Sequence, residues 1–397
     1  MSPDPFAPAR LGPLALRNRI IKAATFEGVM PDGLVTDELV EYHRRVARGG
    51  AAVSTVAYLA VAPEGRTASG CLWLHDEVVP GLRRLTDAIH GEGAAAAAQI
   101  GHAGPVADAR STGSPGLAPS SSFSPVTMRR IRAVTSADRD RIRDAYARGA
   151  AMAVGAGFDA IEVHLGHNYL LSAFLSPRLN KRTDAYGGDL ENRARYPREI
   201  IRAVRDAVGG EVAVTAKLNM RDGVKGGFEV EESLEVAAWL EADGALDALE
   251  LTGGSSLANP MYLFRGDAPM AELAATMSGV VQLGFRLVGP KMLPSYPFEE
   301  AFFLPLAQRF RERLRLPLIL LGGITRRETL DRAMDEGFEF VAIARARLRA
   351  PDLLPRWQHD DPAPSACDHC NRCMPSIYSG TRCVTTHPDP IVVGKRS

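Results

Sequence analysis

The chain has 397 residues, 46% of them hydrophobic, enough to bury a large core. Its 47 basic and 47 acidic side chains cancel, which argues against a nucleic-acid partner or a charge-driven membrane surface. No apolar stretch reads as a signal peptide or a membrane span, so a cytoplasmic protein with no membrane partner is expected.

Short β-branched or Ala-rich runs alternate with amphipathic stretches along the chain. The strand "RIIKAAT" (19–25) leads to a helix over 36–48, opened by Thr36. "AAVSTVAY" (51–58) precedes a helix over 78–91. "AAAAAQI" (94–100) is helix-prone by propensity, but the two glycines of "HGEGA" stop the helix before it, so it is read as strand. After the Ser/Pro/Gly-rich segment 104–128 comes a helix over 136–156, with Thr135 and Asp138 at capping-box spacing. "DAIEVH" (159–164), a helix over 191–208, "VAVTAKL" (212–218), a helix over 230–243 and "DALELT" (247–252) follow. A second insertion, 253–297, precedes a helix over 299–313. "LPLILLGG" (316–323), a helix over 325–336 opened by Thr325, and "EFVAIAR" (339–345) complete the series.

Strands this apolar are buried on both faces. Eight strand–helix pairs in one series predict an α/β protein, a (β/α)8 TIM barrel. A doubly wound sheet is disfavoured because no G-x-G-x-x-G follows a strand. The barrel is expected over 1–355, with long loops after strands 3 and 6, on the side where barrel enzymes build their sites. Residues 356–397 read as a cysteine-rich C-terminal extension.

Polar residues at the C-terminal ends of barrel strands converge on one mouth. Thr25, Gln99, His102, His164, His167, Lys217, Gly322, Gly323 and Arg345 are such residues. "LLGGIT" and "IARARL" occupy the corner where these barrels bind phosphate, with backbone amides at the glycines and a guanidinium at Arg345; a plain turn and a solvated arginine are the alternatives. Lys217, inside an apolar strand, must pair with an anion or lose its charge. It holds an anionic cofactor, forms a Schiff base, or snorkels to the strand end. His164 and His167, with Tyr169 beside them, are metal ligands, packed core histidines, or donors to a substrate oxygen with Tyr169 as proton source.

The segment 157–205, "GFDAIEVHLGHNYLLSAFLSPRLNKRTDAYGGDLENRARYPREIIRAVR", strongly resembles the Old Yellow Enzyme family of FMN-dependent NADH:flavin oxidoreductases and ene-reductases. "LRNRIIKAAT", "AAAQIGHAG", "LLGGIT" and "AIARARLRAPDLLPRW" extend the likeness along the chain. The resemblance implies that Thr25 bonds the flavin C4 carbonyl side, Gln99 the pyrimidine edge, and Lys217 the N1–C2=O side. It puts the FMN phosphate at Gly322, Gly323, Ala344 and Arg345. It gives His164 and His167 the substrate's carbonyl or nitro oxygen, and makes Tyr169 the donor to substrate carbon. Lys217 stands where the family often has arginine, Ala344 where it usually has glycine, and Pro105 where arginine is frequent.

Cys367, Cys370, Cys373 and Cys383 have the spacing C-x2-C-x2-C-x9-C, which suits a [4Fe–4S] cluster, with zinc or free thiols as alternatives. The stretch resembles the cluster-binding segment of trimethylamine dehydrogenase and 2,4-dienoyl-CoA reductase, with a shorter last gap and no further nucleotide-binding domain expected after it. Cys71 stands apart. The expected activity is transfer of hydride from NAD(P)H through FMN to an α,β-unsaturated carbonyl or nitro compound. A flavin-dependent amine dehydrogenase or demethylase and a flavin-free Schiff-base lyase using Lys217 are the rivals. The expected partner is a small-molecule substrate; a homo-oligomer is left open.

Overall fold

The computed structural model describes residues 2–124, 129–277, 279–359, 361–391 and 393; of the two insertions and the extension, 125–128, 278, 360, 392 and 394–397 lie outside the described residues. Eight parallel strands close a barrel in chain order: β1 (Ile20–Lys22), β2 (Val53–Ala60), β3 (Ala95–Gly101), β4 (Ala160–Leu165), β5 (Ala213–Asn219), β6 (Ala248–Thr252), β7 (Leu318–Leu321) and β8 (Phe340–Ile343). All eight predicted strands are present. The "AAAAAQI" segment is indeed strand, buried along almost its whole length.

Seven predicted helices surround the barrel: α1 (Asp37–Arg48), α2 (Val79–His90), α3 (Ser136–Gly155), α4 (Leu190–Val208), α5 (Val230–Asp243), α6 (Leu304–Arg313) and α7 (Arg327–Asp335). A short α8 (Arg345–Arg349) follows β8. Thr36 caps α1 by accepting from Leu39 N, and Thr135 and Asp138 form the capping box of α3. Thr325 does not cap α7. That helix starts one residue late, from Arg326, and the Thr325 hydroxyl donates to Glu300 instead.

Side chains along a strand alternate between its faces. Ile21, Val53, Ala97, Ala160, Ala213, Ala248, Ile319 and Phe340 point inward and form the lower barrel layer. The hairpin of Ala9–Leu11 with Leu14–Leu16 packs Leu11 and Leu16 against that layer and closes the floor. Two three-residue strands are too short for periodicity to reveal. The same parity carries the polar residues above the floor: two and four positions on from Ala160 and Ala248 lie Glu162, His164, Glu250 and Thr252. The intervening residues Ile161, Val163, Leu249 and Leu251 face the helices.

The loop after β3 contains three short strands, Leu117–Ala118, Ser122–Ser124 and Arg129–Ala133. The insertion after β6 is helical, with Pro260–Phe264, Met270–Ala275 and Gly279–Met292. The C-terminal extension lies across the mouth. Asn371 donates to Arg265 O and Asp267 O, Thr381 donates its amide to Glu27 O and its hydroxyl to Phe26 O, and His369 stacks on Phe298. Among the described residues no helix is long and apolar enough to cross a membrane.

Candidate active site

One cavity of about 520 Å³ occupies the mouth. It is lined by Thr25, Gln99, His164, His167, Tyr169, Lys217, Gly322, Gly323, Ala344 and Arg345, every residue expected for flavin and substrate. His102 does not line it. Its ring accepts from Gly104 N within the following loop and faces Glu64.

Lys217 projects inward from the middle of β5, where the register sets it beside His164 of β4 and Glu250 of β6. Its ammonium bonds Glu250, and Glu162 lies 3.6 Å away. All three side chains are buried. Burial alone would lower the lysine pKa, but the two carboxylates outweigh it and raise it. Glu250 is pushed up to about 8, first by burial, against the pull of Lys217. Its Oε2 is buried without a partner. Gln99 Nε2 donates to Glu162 Oε1 at 2.6 Å, so the glutamine is oriented by the same cluster. Lys217 is therefore a fixed cation, neither a free amine nor a snorkelling side chain. A Schiff base needs a neutral amine, so the geometry disfavours the lyase.

The two imidazoles come from different backbone settings. His164 is the inward residue at the end of β4, whereas His167 sits in the next turn at φ +60°, its amide bonded to Asn219 Oδ1 at 3.0 Å. The rings are 5.1 Å apart, and His164 meets Tyr169 edge-on at 4.6 Å. Burial, then the Lys217 charge, lowers His167 to about 3; burial, then His167 and Lys217, holds His164 well below its usual range. Both rings are neutral near neutral pH. His167 Nε2 and the Thr252 hydroxyl are hydrogen-bonded at 3.0 Å, so this partner and the tautomer of the ring are set together. His164 Nδ1 is buried with no partner. Tyr169 stands at the start of the helix Leu170–Leu175, and burial raises its pKa, which keeps the phenol protonated. Two neutral imidazoles and one phenol therefore line one cavity, an arrangement suited to holding an oxygen and delivering a proton.

The corner expected to take phosphate is built more tightly than expected. Gly322 and Gly323 have φ of +109° and +72°, and a Cβ on either would strike Phe303 or Phe302 at 2.6 Å. Glycine is required there by backbone shape and by the approach of two rings. Arg345 lines the cavity, but its guanidinium also donates to Asn371 Oδ1 and Phe264 O, tying the extension and the β6 insertion together. It has no carboxylate partner among the described residues, and its pKa is lowered by burial. An anion such as a phosphate fits that deficit.

Glu162, Glu250, Asn219 and Thr252 were missed. The parity of β4, β5 and β6 was the available signal, since each lies two residues along its strand from another inward polar residue. Tyr58, edge-on to Tyr169 at 5.5 Å, had no such signal. Cys373 also lines the cavity, while Cys71 is buried apart from it, its thiol raised by burial to about 11. Cys367, Cys370, Cys373 and Cys383 are free thiols, and among the described residues no three His, Cys, Asp or Glu side chains are grouped to hold a metal ion. Cys383 is instead bonded to Thr385 at 2.9 Å. The expected ligand set for a [4Fe–4S] cluster or zinc is not assembled in this geometry.

The family model of the NADH:flavin oxidoreductase / NADH oxidase family matches residues 4–251. A 4,4'-dithiodibutanoate disulfide reductase of Rhodococcus erythropolis is 58% identical over 392 residues, 99% of this chain and 97% of that protein. An NADH oxidase of Thermoanaerobacter brockii is 30% identical over 88% of this chain, which spans only 50% of that relative's length. The solved structure of an Old Yellow Enzyme homologue from Zymomonas mobilis superposes with a TM-score of 0.75 at 21% identity, covering 98% of this chain and all of that one, a likeness of fold.

Proposed function

This chain belongs to the NADH:flavin oxidoreductase / NADH oxidase family, that of Old Yellow Enzyme, and on that premise we propose that it is a reductase of small electron-poor acceptors. The reading rests on one observation: ten residues from six strand ends and their loops face a single cavity. When bound, FMN would supply the redox chemistry between NAD(P)H and the acceptor. Thr25, Gln99 and Lys217 would hold the isoalloxazine, and Gly322, Gly323, Ala344 and Arg345 the phosphate. Lys217, kept charged by its carboxylates, favours an anionic pyrimidine edge. His164 and His167 hold the carbonyl or nitro oxygen of an α,β-unsaturated acceptor, and Tyr169 protonates the carbon beside it. We take the described residues 361–391 of the extension 356–397 as the cover of this mouth.

A second acceptor, an organic disulfide, is favoured by the 58% identity to the dithiodibutanoate reductase across nearly both chains. Here one S–S bond breaks, two electrons and one proton arrive as hydride, and Tyr169 supplies the second proton to the departing thiolate. Two thiols result. Anaerobic stopped-flow tests both readings. Enzyme reduced with NADH or NADPH is mixed with an enone, a nitroalkene or 4,4'-dithiodibutanoate, and oxidised enzyme is mixed with a tertiary amine. Rapid flavin reoxidation by an enone or nitroalkene supports the first reading, and by the disulfide alone the second. Reduction of oxidised enzyme by the amine, with no response to either acceptor class, overturns both.

A further inference from the structure

Lys217 lines the mouth cavity, but the two carboxylates that hold it, Glu162 and Glu250, do not. They are 3% and 0% exposed. Glu250 bonds the ammonium, and Glu162 Oε1 lies 3.6 Å from it. With both carboxylates ionised, the cluster sets two negative charges against one positive charge. The strands packed around Glu250 offer nothing to balance the excess. Its register neighbours are Lys217 on β5 and the apolar Ile319 on β7. Gln99 of β3 is uncharged, and the layer below is made of alanines and other apolar residues. His164, beside Lys217 on β4, and His167 are kept neutral by burial and by the lysine charge.

The two carboxylates are not equivalent. Glu162 Oε1 accepts from Gln99 Nε2 at 2.6 Å, a bond that favours the ionised form. Glu250 Oε2 is buried with no partner, so the excess charge has no donor to spread into there. Two carboxylates sharing one buried cation are relieved when one of them is protonated, and they titrate as a pair. Burial first, opposed by Lys217 and aided by Glu162, pushes Glu250 up to about 8. A proton has a path to it. Lys217 bonds Glu250 and also lines the cavity, so its ammonium can hand a proton inward and be recharged from the cavity side.

We propose that the Glu162–Glu250 pair takes up one solvent proton, at Glu250, when the bound flavin is reduced, and releases it when the flavin is reoxidised. The hydride of NAD(P)H brings two electrons and one proton to the flavin and adds one negative charge beside Lys217. The solvent proton converts the Glu250 carboxylate to the acid, so the buried site carries the same net charge before and after. This inference rests on the flavin reading above. Holoprotein is reduced anaerobically by NADH in weak buffer with a pH indicator, at points from about pH 6 to about pH 9. Uptake of about one proton per flavin is expected at the alkaline end, falling towards none at the acid end, where Glu250 already holds its proton. At the alkaline end the reduced-minus-oxidised infrared spectrum should gain a protonated-carboxyl band. FMN-loaded Glu250→Gln should lose both the uptake and the band. If that variant does not fold, the wild-type profile and band still decide. Uptake that grows towards acid, as protonation of the flavin itself would give, overturns the proposal. So does a wild-type spectrum without the carboxyl band, or equal uptake in Glu250→Gln. Full reduction by NADH with no proton uptake at any pH sinks this proposal alone, whereas a protein that binds no FMN sinks the flavin reading and this proposal with it.

Discussion

Lys217 and Lys22 are both buried lysines in barrel strands, and both bond a buried glutamate. They differ in which way they point. Lys217 is an inward residue of β5 and lines the mouth; Lys22 follows the inward Ile21, faces α1, and lines a cleft outside the barrel. Lys217 has two carboxylates, and its pKa is raised. Lys22 has one, Glu27, shared with His43 at 3.4 Å, and burial lowers its pKa. One cluster leaves a cation at a ligand surface. The other is closed on itself, with Lys22 also donating to Thr55 O and His43 bonding Ser54 at 2.8 Å. The same pair of residue types serves a site in one place and the packing of a helix in the other, and strand parity decides which.

The largest expected effect separates the two. Lys217→Met and Lys22→Met each strand buried carboxylates, and each should cost about 3–5 kcal/mol of stability in urea unfolding. Flavin should be lost from the first and retained by folded protein of the second. Equal flavin loss would erase the distinction. Tyr169→Phe should slow flavin reoxidation by an enone about 10²–10⁴-fold, with reduction by NAD(P)H nearly intact; the reverse pattern in stopped-flow would remove Tyr169 from the acceptor step.

Acid probes the two regions again. His167 and His164 in the mouth and His43 beside Glu27 all have lowered pKa values. The unfolded chain therefore binds protons that the folded protein refuses once pH falls below the ordinary histidine value, and stability falls with it. His164 and His167 should each lose about 2 kcal/mol of stability by pH 5 relative to pH 8, an upper bound for His167, which is only partly buried; His43 should change in the same direction. His167→Asn and His43→Gln should each flatten the curve between pH 5 and 7, measured by chemical unfolding, and only the first should alter acceptor KM. The smallest effect is at a helix cap. Thr36→Ala removes a true cap and should cost about 1 kcal/mol, read as a lower urea midpoint with unchanged turnover.

The barrel was legible because eight apolar strands alternate with amphipathic helices, and its mouth because strand ends gather there. Lys217 stood out as one charge in "VAVTAKLNM". Lys22 did not, since its strand is three residues long and no parity can be read over so short a run. Glu162 and Glu250 were overlooked although "IEVH" and "LELT" repeat the same inward spacing. Thr325 misled because local spacing mimics a cap while Glu300, from a distant segment, claims its hydroxyl. The cysteine spacing points to a metal; the thiols of Cys367, Cys370, Cys373 and Cys383 are close enough for their charges to interact, but among the described residues they are not grouped as a ligand set.

Flavin content with redox titration tests the central claim most directly. The purified protein should carry one FMN per chain, its absorbance bleached anaerobically by NADH or NADPH and restored by an acceptor. A colourless protein that takes up no FMN, yet is covalently trapped at Lys217 by borohydride with a carbonyl compound, would contradict it.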